Sequence, residues 1–196
     1  MAGILWPFSP EAQAASSLRA AVFNVCHQLP AFLCSTHDSI FLAPHVTVDY
    51  HRIGALITAI EESGGEAPPD STEVLYRANL LPGWYDDWIV FEQERLQQRK
   101  LAAMEAMAGR SLAQGDACRA LDTASLAAAI EPLRESAQAI IIRSHLKLGN
   151  RAMALRSFTE YRELLRRELD IQPSVDLAGL LAFEPDGLLR PGEAHV

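Results

Sequence analysis

Four histidines near the N-terminus are the side chains best suited by type to ligate a metal or to exchange protons. They are His27, His37, His45 and His51. No two of them are four positions apart, the spacing that places two ligands on one face of a helix, and no Cys-x-x-Cys pair accompanies them. We therefore expect no metal site in this region.

Recognisable catalytic and nucleotide-binding motifs are absent from the sequence. Serine, histidine and aspartate occur without the Gly-x-Ser-x-Gly turn of a nucleophile elbow. The glycines form no phosphate-binding loop. The sequence thus predicts a protein that is not an enzyme and that needs no cofactor.

The distribution of charge bears on the class of partner. The 196 residues include 17 Lys and Arg against 25 Asp and Glu, a net charge of -8 at pH 7. Nucleic-acid binding gains much of its affinity from basic side chains that neutralise phosphates. Arg19 is nevertheless the only Lys or Arg in residues 1–48. A chain of this composition starts at a disadvantage as a DNA-binding protein.

Cysteine usage and hydropathy indicate the compartment. Cys26, Cys34 and Cys118 form no close-set pair, as expected of reduced thiols in the cytoplasm. No apolar run approaches the roughly 18 residues that span a bilayer. Residues 1–10 lack the basic start of a signal peptide. The sequence predicts a cytoplasmic protein with no membrane partner.

The first part of the chain contains one predicted helix, at residues 10–29. Ser9 is the expected N-cap, Pro10 is expected at the first helical position and Pro30 ends the helical pattern. Apolar residues recur along it at intervals of three and four and form one stripe: Leu18, Val22, Val25 and Leu29.

Short strands are predicted after this helix. Two apolar runs, residues 31–34 and 39–43, flank a polar turn at residues 35–38 and predict a β-hairpin. Residues 46–48, Val-Thr-Val, predict one further short strand.

After residue 48 the spacing of apolar residues is helical almost throughout. Helices are predicted at residues 50–63, 71–79, 86–113, 116–129, 133–148, 151–169 and 174–182. Residues 183–196 contain two prolines and two glycines and are predicted to form a flexible tail.

An internal repeat lies within these helices. Leu112-x-x-Gly115-Asp116-x-x-x-Ala120-Leu121 recurs as Leu146-x-x-Gly149-Asn150-x-x-x-Ala154-Leu155. The offset is 34 residues, the period of the tetratricopeptide helix-turn-helix unit. The glycine allows a sharp turn between antiparallel helices, and the small alanine allows their close approach. Pro132 stands where that unit ends its second helix, whereas the second copy has Arg166, so its last helix can continue.

From residue 49 onward the sequence resembles the bacterial transcriptional activation domain of antibiotic regulatory proteins. The motifs that carry the resemblance are Leu81-Pro82-Gly83-Trp84-Tyr85-Asp86-Asp87-Trp88, Glu92-x-Glu94-Arg95-Leu96, Glu131-Pro132-Leu133-Arg134-Glu135-Ser136-Ala137 and Tyr161-Arg162-x-Leu164-Leu165-x-x-Glu168-Leu169. Such domains are tetratricopeptide-like helical bundles, which agrees with the repeat.

In that family the domain follows a winged helix-turn-helix module. Leu5-Trp6-Pro7, Ser17-Leu18-Arg19 and Leu42-Ala43-Pro44-x-Val46-x-Val48-Asp49 resemble the second half of the module, its recognition helix and wing. The resemblance implies an N-terminally truncated module in residues 1–48. It also implies a set of DNA-contacting residues: Ser16, Ser17, Arg19, Asn24 and His27 on the helix, with His37 in the wing. Because the set contains one arginine, the expected DNA binding is weak or partner-dependent.

Aromatic and charged groups in the second part allow alternative interpretations. Packing in the helical core is favoured over a ligand-stacking surface for the aromatic cluster of Trp84, Tyr85 and Trp88. A solvated surface with (i, i+4) pairs is favoured over partner binding for the helix face of Glu92, Glu94, Arg95, Gln98 and Arg99. The same applies to the basic cluster of Arg162, Arg166 and Arg167, which alternates with glutamates.

The sequence as a whole predicts a mainly α protein. A partial winged-helix module with a small β-hairpin, residues 1–48, precedes a tetratricopeptide-like helical bundle at residues 49–182. The favoured hypothesis is a transcriptional regulator of the antibiotic regulatory protein type. The resemblance implies that its bundle acts in activation through protein contacts, which include RNA polymerase or another regulator and self-association, for example as a homodimer. The sequence leaves open whether the protein activates or represses. The alternative is a scaffold that binds no DNA and that binds or sequesters a regulator. A third hypothesis, a small-molecule sensor bundle, rests on the aromatic cluster.

Overall fold

Helices account for most of the structure. The computed structural model describes residues 2–36 and 39–182, and the chain divides into two units, Met1–His51 and Arg52–Val196. The predicted tail at residues 183–196 lies outside the described residues. No helix in the described part of the chain is long and apolar enough to cross a membrane.

The first unit contains a short helix, α1 (Ala2–Leu5), and a long one, α2 (Glu11–Gln28). The helix predicted at residues 10–29 is therefore confirmed, whereas α1 was not predicted. The expectation that Ser9 is the N-cap is wrong. Pro10 is the N-cap, with φ of -53° and ψ of 144°, and no side chain caps the helix. Proline fits this position because its ring already holds φ near -65° and it has no N–H to satisfy.

The predicted hairpin is present as two antiparallel strands, β1 (Leu33–Ser35) and β2 (Ile40–Leu42). Leu33 pairs with Leu42, and the ladder extends to the amide of Ala43, which donates to the carbonyl of Phe32 at 2.9 Å. The strand predicted at residues 46–48 does not form. The amide of Val46 instead donates to the carbonyl of Ala43 at 2.9 Å, so the chain turns before it can pair.

The helices predicted after residue 48 all form, with ends within two residues of the prediction. They are α3 (Asp49–Glu62), α4 (Ser71–Arg77), α5 (Asp87–Ala113), α6 (Ala117–Ile130), α7 (Glu135–Lys147), α8 (Arg151–Leu169) and α9 (Val175–Ala182). On α3, Ile57 and Ile60 are fully buried and form its apolar face.

The 34-residue repeat corresponds to two equivalent helix pairs. In the first pair Gly115 has φ of 92° and the amide of Asp116 donates to the carbonyl of Ser111 at 2.9 Å. In the second, Gly149 has φ of 75° and the amide of Asn150 donates to the carbonyl of His145 at 2.8 Å. Both turns are Schellman motifs, in which a residue with positive φ satisfies the last carbonyls of the helix.

The helix pairs pack in sequence order, so that α5, α6, α7 and α8 each contact the next, and α5 also contacts α7. The alanines of the repeat, Ala120 and Ala154, are fully buried, as their predicted role requires. One apolar cluster joins α5, α6 and α7: Ala108, Ala120, Ala124, Ile140 and Ile141. A second joins α7, α8 and α9: Ile142, Ala154, Tyr161, Leu165 and Leu177. The final helix α9 therefore covers the last helix pair of a tetratricopeptide-like bundle.

Candidate DNA-contacting helix and partner-facing surfaces of the bundle

Helix α2 has one inward face and one solvent face. Ala14 is buried, and Leu18, Val22 and Val25, which lie on the same side at helical spacing, are half-buried. Leu29, the last member of the predicted stripe, lies just beyond the helix and is exposed. The stripe therefore begins one turn earlier than predicted and ends with Val25.

Most of the candidate DNA-contacting residues lie on the opposite face of α2. Ser16, Arg19, Asn24 and His27 are exposed, and Ser17 is half-buried at the edge of this face. At 100° per residue, the four exposed side chains span less than half of the helix circumference. The structure thus brings these four together on one solvent-facing surface. His37, the candidate in the wing, lies outside the described residues.

Sequence reasoning missed Phe23, which lies on the same face and is 70% exposed. Its ring is parallel to the imidazole of His27, with centroids 6.2 Å apart and planes inclined by 3°. The four-residue spacing from Phe23 to His27 could have indicated this pair. The surface therefore presents one guanidinium, two polar side chains and a stacked aromatic pair rather than a cluster of cations.

The aromatic cluster of the second unit does not lie in the core, so the favoured interpretation of it was wrong. Trp84 is 52% exposed, Tyr85 is 85% exposed and Trp88 is 40% exposed. The side chains that α5 buries instead include Ile89 and Leu96. The aromatic residues therefore form a surface.

The turn before α5 explains why these rings face outward. Leu81 and Gly83 adopt positive φ, 43° and 85°, and the amide of Trp84 donates to the carbonyl of Leu81 at 3.2 Å. Nε2 of Gln93 donates to the carbonyls of Leu80 at 2.8 Å and Leu81 at 3.2 Å. The turn is thus tied to α5 through its backbone, and its aromatic side chains are not needed to hold it.

A cleft of about 220 Å³ lies between this turn and α5. Its lining consists of Ala78, Asn79, Leu80, Pro82, Gly83, Trp84, Tyr85, Gln93, Leu96, Gln97 and Lys100. Lys100 is buried, and its ammonium donates to the carbonyl of Ala78 at 2.8 Å. Burial lowers the pKa of this ammonium below its usual value.

The charged face of α5 is only partly the solvated surface that was expected. One (i, i+4) pair of the expected kind forms, in which Nε2 of Gln98 donates to Oε1 of Glu94 at 2.9 Å. Arg99, however, reaches α3, where it donates to Thr58 at 3.0 Å and to Glu61 at 2.9 Å. Part of this face, at Arg99, therefore links α5 to α3.

The charged exterior of α8 agrees with the solvated interpretation. Arg162, Arg166 and Arg167 are all exposed, and Nε of Arg167 lies 2.8 Å from Oε1 of Glu168. Exposed pairs of this kind contribute little to stability.

A half-buried ion pair connects α5 to the start of α7. Arg134 donates to Glu105 through Nε at 2.6 Å and Nη2 at 3.2 Å, and through Nη1 to Gln98 at 2.8 Å. The hydroxyl of Ser136 donates to Glu105 at 2.6 Å. Both partners of the ion pair are less than a quarter exposed. No local sequence pattern indicates this link, because its partners are far apart along the chain.

Tyr161 makes a similar connection from α8 to the loop before α7. Its hydroxyl donates to the carbonyl of Leu133 at 3.1 Å, and its ring is buried. Burial, and secondarily the charge of Glu135, raise the pKa of Tyr161 to about 12. The phenol is therefore a hydrogen-bond donor in the core rather than a reactive group.

The two helix pairs pack in sequence, and α9 covers the second pair. This arrangement is a tetratricopeptide-like helical bundle. Residues 70–182, more than half of the chain, match the family model of the bacterial transcriptional activator domain. The chain belongs to that family.

A solved structure of a larger protein has a similar fold. It is Mycobacterium tuberculosis EmbR in complex with a low affinity phosphopeptide, with a TM-score of 0.65 and 19% identical residues. The match covers 92% of this chain and 52% of that one, so this chain spans about half of its length. At this identity the likeness concerns the fold alone. A search of curated proteins finds no match.

Proposed function

We propose that this protein regulates transcription in the cytoplasm as an activator, without enzymatic activity, and that its helical bundle supplies the contacts to other proteins. Membership of the bacterial transcriptional activator domain family carries the proposal. Two stacked helix pairs offer a broad surface for a partner, the usual role of such repeats.

In this proposal residues 1–48 are a partial winged-helix module, and the solvent face of α2 contacts DNA. The exposed side chains of Ser16, Arg19, Asn24 and His27 on one face support it. One arginine can contribute roughly 1–3 kcal/mol of discrimination between bases. Binding by this face alone is therefore weak, and a second copy or a DNA-bound partner strengthens it.

Retention of duplex DNA by the purified chain tests this part of the proposal. With a random-sequence pool at low salt, we expect retention that is weak, because few phosphates are neutralised, and that falls below detection toward physiological salt. Arg19→Ala should abolish enrichment of any particular site. Arg162→Ala, which removes an exposed arginine from α8, is the matched control and should have no effect. Equal retention by the Arg19→Ala variant would exclude α2 as the DNA-contacting helix.

The proposed contact with RNA polymerase or another regulator draws support from the exposed start of α5. Trp88 is 40% exposed and Phe91, one turn later, is 75% exposed. Arg95 continues the same stripe and pairs with Glu92 at 2.7 Å. Aromatic residues beside an arginine are typical of the side chains that dominate binding energy at protein interfaces.

Replacement of both aromatic residues should therefore weaken partner binding. We expect Trp88→Ala combined with Phe91→Ala to lower the affinity for purified RNA polymerase holoenzyme by about thirtyfold, the effect of losing one strong interface contact. Biolayer interferometry would measure it. Leu155→Ala, at an exposed apolar site on α8, is the control. Unchanged affinity in the double variant would remove this stripe from the interface.

The scaffold is the second candidate, and the low charge of α2 favours it. Arg19 is its only Lys or Arg, and Glu11 lies in its first turn. A chain that retains no DNA at any salt, does not bind polymerase and does bind a DNA-binding regulator would have the scaffold function instead.

A further inference from the structure

The cleft beside α5 has the features of a small-molecule site. A ligand site there does not depend on the DNA and polymerase contacts proposed above. Its walls come from the segment of residues 78–85 and from the side chains that α5 presents at Gln93, Leu96, Gln97 and Lys100. All of these residues belong to the second unit.

The charge of the lining selects for an anion. Lys100 is the only residue with a formal charge among those that line the cleft, and no Asp or Glu is present there. The hydrogen bond from its ammonium to the carbonyl of Ala78 uses one of three N–H donors, so two can serve a ligand. A carboxylate beside the buried ammonium would stabilise its charged form and so offset the lowering of its pKa by burial.

The size and the walls select for one aromatic ring. A cavity of about 150 Å³ accommodates benzene, and this cleft is larger, at about 220 Å³. Trp84 and Tyr85 line the cleft and are 52% and 85% exposed, and Pro82 and Leu96 add apolar side chains to the lining. Offset stacking of a planar ring on such residues adds to the gain from burial.

We propose that this cleft binds a small aromatic carboxylate, with its carboxylate on the ammonium of Lys100 and its ring against Trp84 and Tyr85. Gln93 contributes indirectly, because its amide holds the carbonyls of Leu80 and Leu81 and so keeps the turn in place. Occupancy of the cleft would then follow the concentration of free small aromatic carboxylate.

Titration of the full chain with 3-phenylpropanoate tests the proposal. For a ligand of this size we expect a dissociation constant on the order of 1 mM. In nitrogen-15 NMR spectra the indole N–H of Trp84 should shift and that of Trp88, which is outside the lining, should not. The neutral analogue 3-phenylpropanamide should bind at least about tenfold more weakly, because it lacks the charge-assisted hydrogen bond.

Two variants and two controls locate the site. Lys100→Met and Trp84→Ala should each weaken binding by about tenfold or more. Lys147→Met is the matched lysine control, since Lys147 donates to the carbonyl of Leu112 at 3.2 Å outside the cleft. Trp88→Ala is the aromatic control. Both control variants should bind 3-phenylpropanoate with the affinity of the unmodified chain.

Three results would overturn the proposal: no shift at about 20 mM ligand, equal binding of the neutral amide, or full binding by the Trp84→Ala variant. Trp84 is 52% exposed, so we expect the Trp84→Ala variant to keep the fold even if Lys100→Met does not. The comparison with the amide needs no variant at all.

Discussion

Replacing Gly65 with alanine is expected to lower the free energy of unfolding of the helical unit by about 3 kcal/mol. Gly65 follows the end of α3 and has φ of 94°, a conformation that costs a residue with a Cβ about 1 kcal/mol. An added Cβ would also overlap the carbonyl oxygen of Ala106 and lie 2.7 Å from its carbonyl carbon. The obstacle is backbone of α5, so no side-chain rotation can relieve it.

Gly115→Ala is the matched control for this experiment. Gly115 has nearly the same φ, 92°, but a Cβ there would meet no atom within 4 Å. We expect a loss of about 1 kcal/mol, from the backbone conformation alone. Urea denaturation followed by circular dichroism at 222 nm would measure both. Equal losses would mean that the chain at residue 65 does not approach α5 this closely.

Removing the charge of Glu105 should have the next largest effect. Glu105→Gln keeps the shape of the side chain but leaves Arg134, only 23% exposed, without its ionised partner. We expect a loss of about 2 kcal/mol, below the full cost for a completely buried pair because some solvent reaches this one. The ionic link between α5 and the start of α7 would also be lost, while the hydrogen bond from Arg134 to Gln98 can remain.

An exposed ion pair provides the comparison. Glu73 and Arg77 form an (i, i+4) pair on α4 in which both side chains are more than half exposed. Glu73→Gln should cost less than about 0.5 kcal/mol. Equal effects at the two sites would show that the Glu105 pair is as solvated as the surface one.

A double substitution distinguishes the attraction between Glu105 and Arg134 from the cost of leaving one of the two charges buried without a partner. If the loss in Glu105→Gln comes from an unpaired arginine, Glu105→Met combined with Arg134→Met should restore a large part of the stability, since it leaves no buried charge. A double variant that is less stable than either single one would instead indicate that Ser136 and Gln98, the other partners in this network, need the two charges.

Much of the fold could be predicted from the sequence because its signals are local. The helices of the second unit follow from apolar spacing over a few turns. The repeat was visible because Gly115 and Gly149 both stand at positions that need positive φ, and because Ala120 and Ala154 stand where helices touch. Four of the proposed DNA-contacting residues also share a face for a local reason, their spacing along α2.

The wrong predictions concern burial and strand pairing, which depend on contacts with other segments of the chain. Spacing alone favours burial of Trp84, Tyr85 and Trp88, but Ile89 and Leu96 occupy the core beside them. The apolar run at residues 46–48 has the composition of a strand, yet it pairs with no strand in residues 2–36 and 39–182, because the chain turns at Ala43.

The sequence by itself determined the helical repeat, the hairpin and the low charge of α2, because these depend on residues close together in the chain. Only the tertiary structure decided which aromatic rings face solvent, that Lys100 is buried beside a cleft, and that Arg134 meets Glu105 across 29 positions. These depend on how helices distant in sequence compete for the same interior space, and no local pattern records the outcome of that competition.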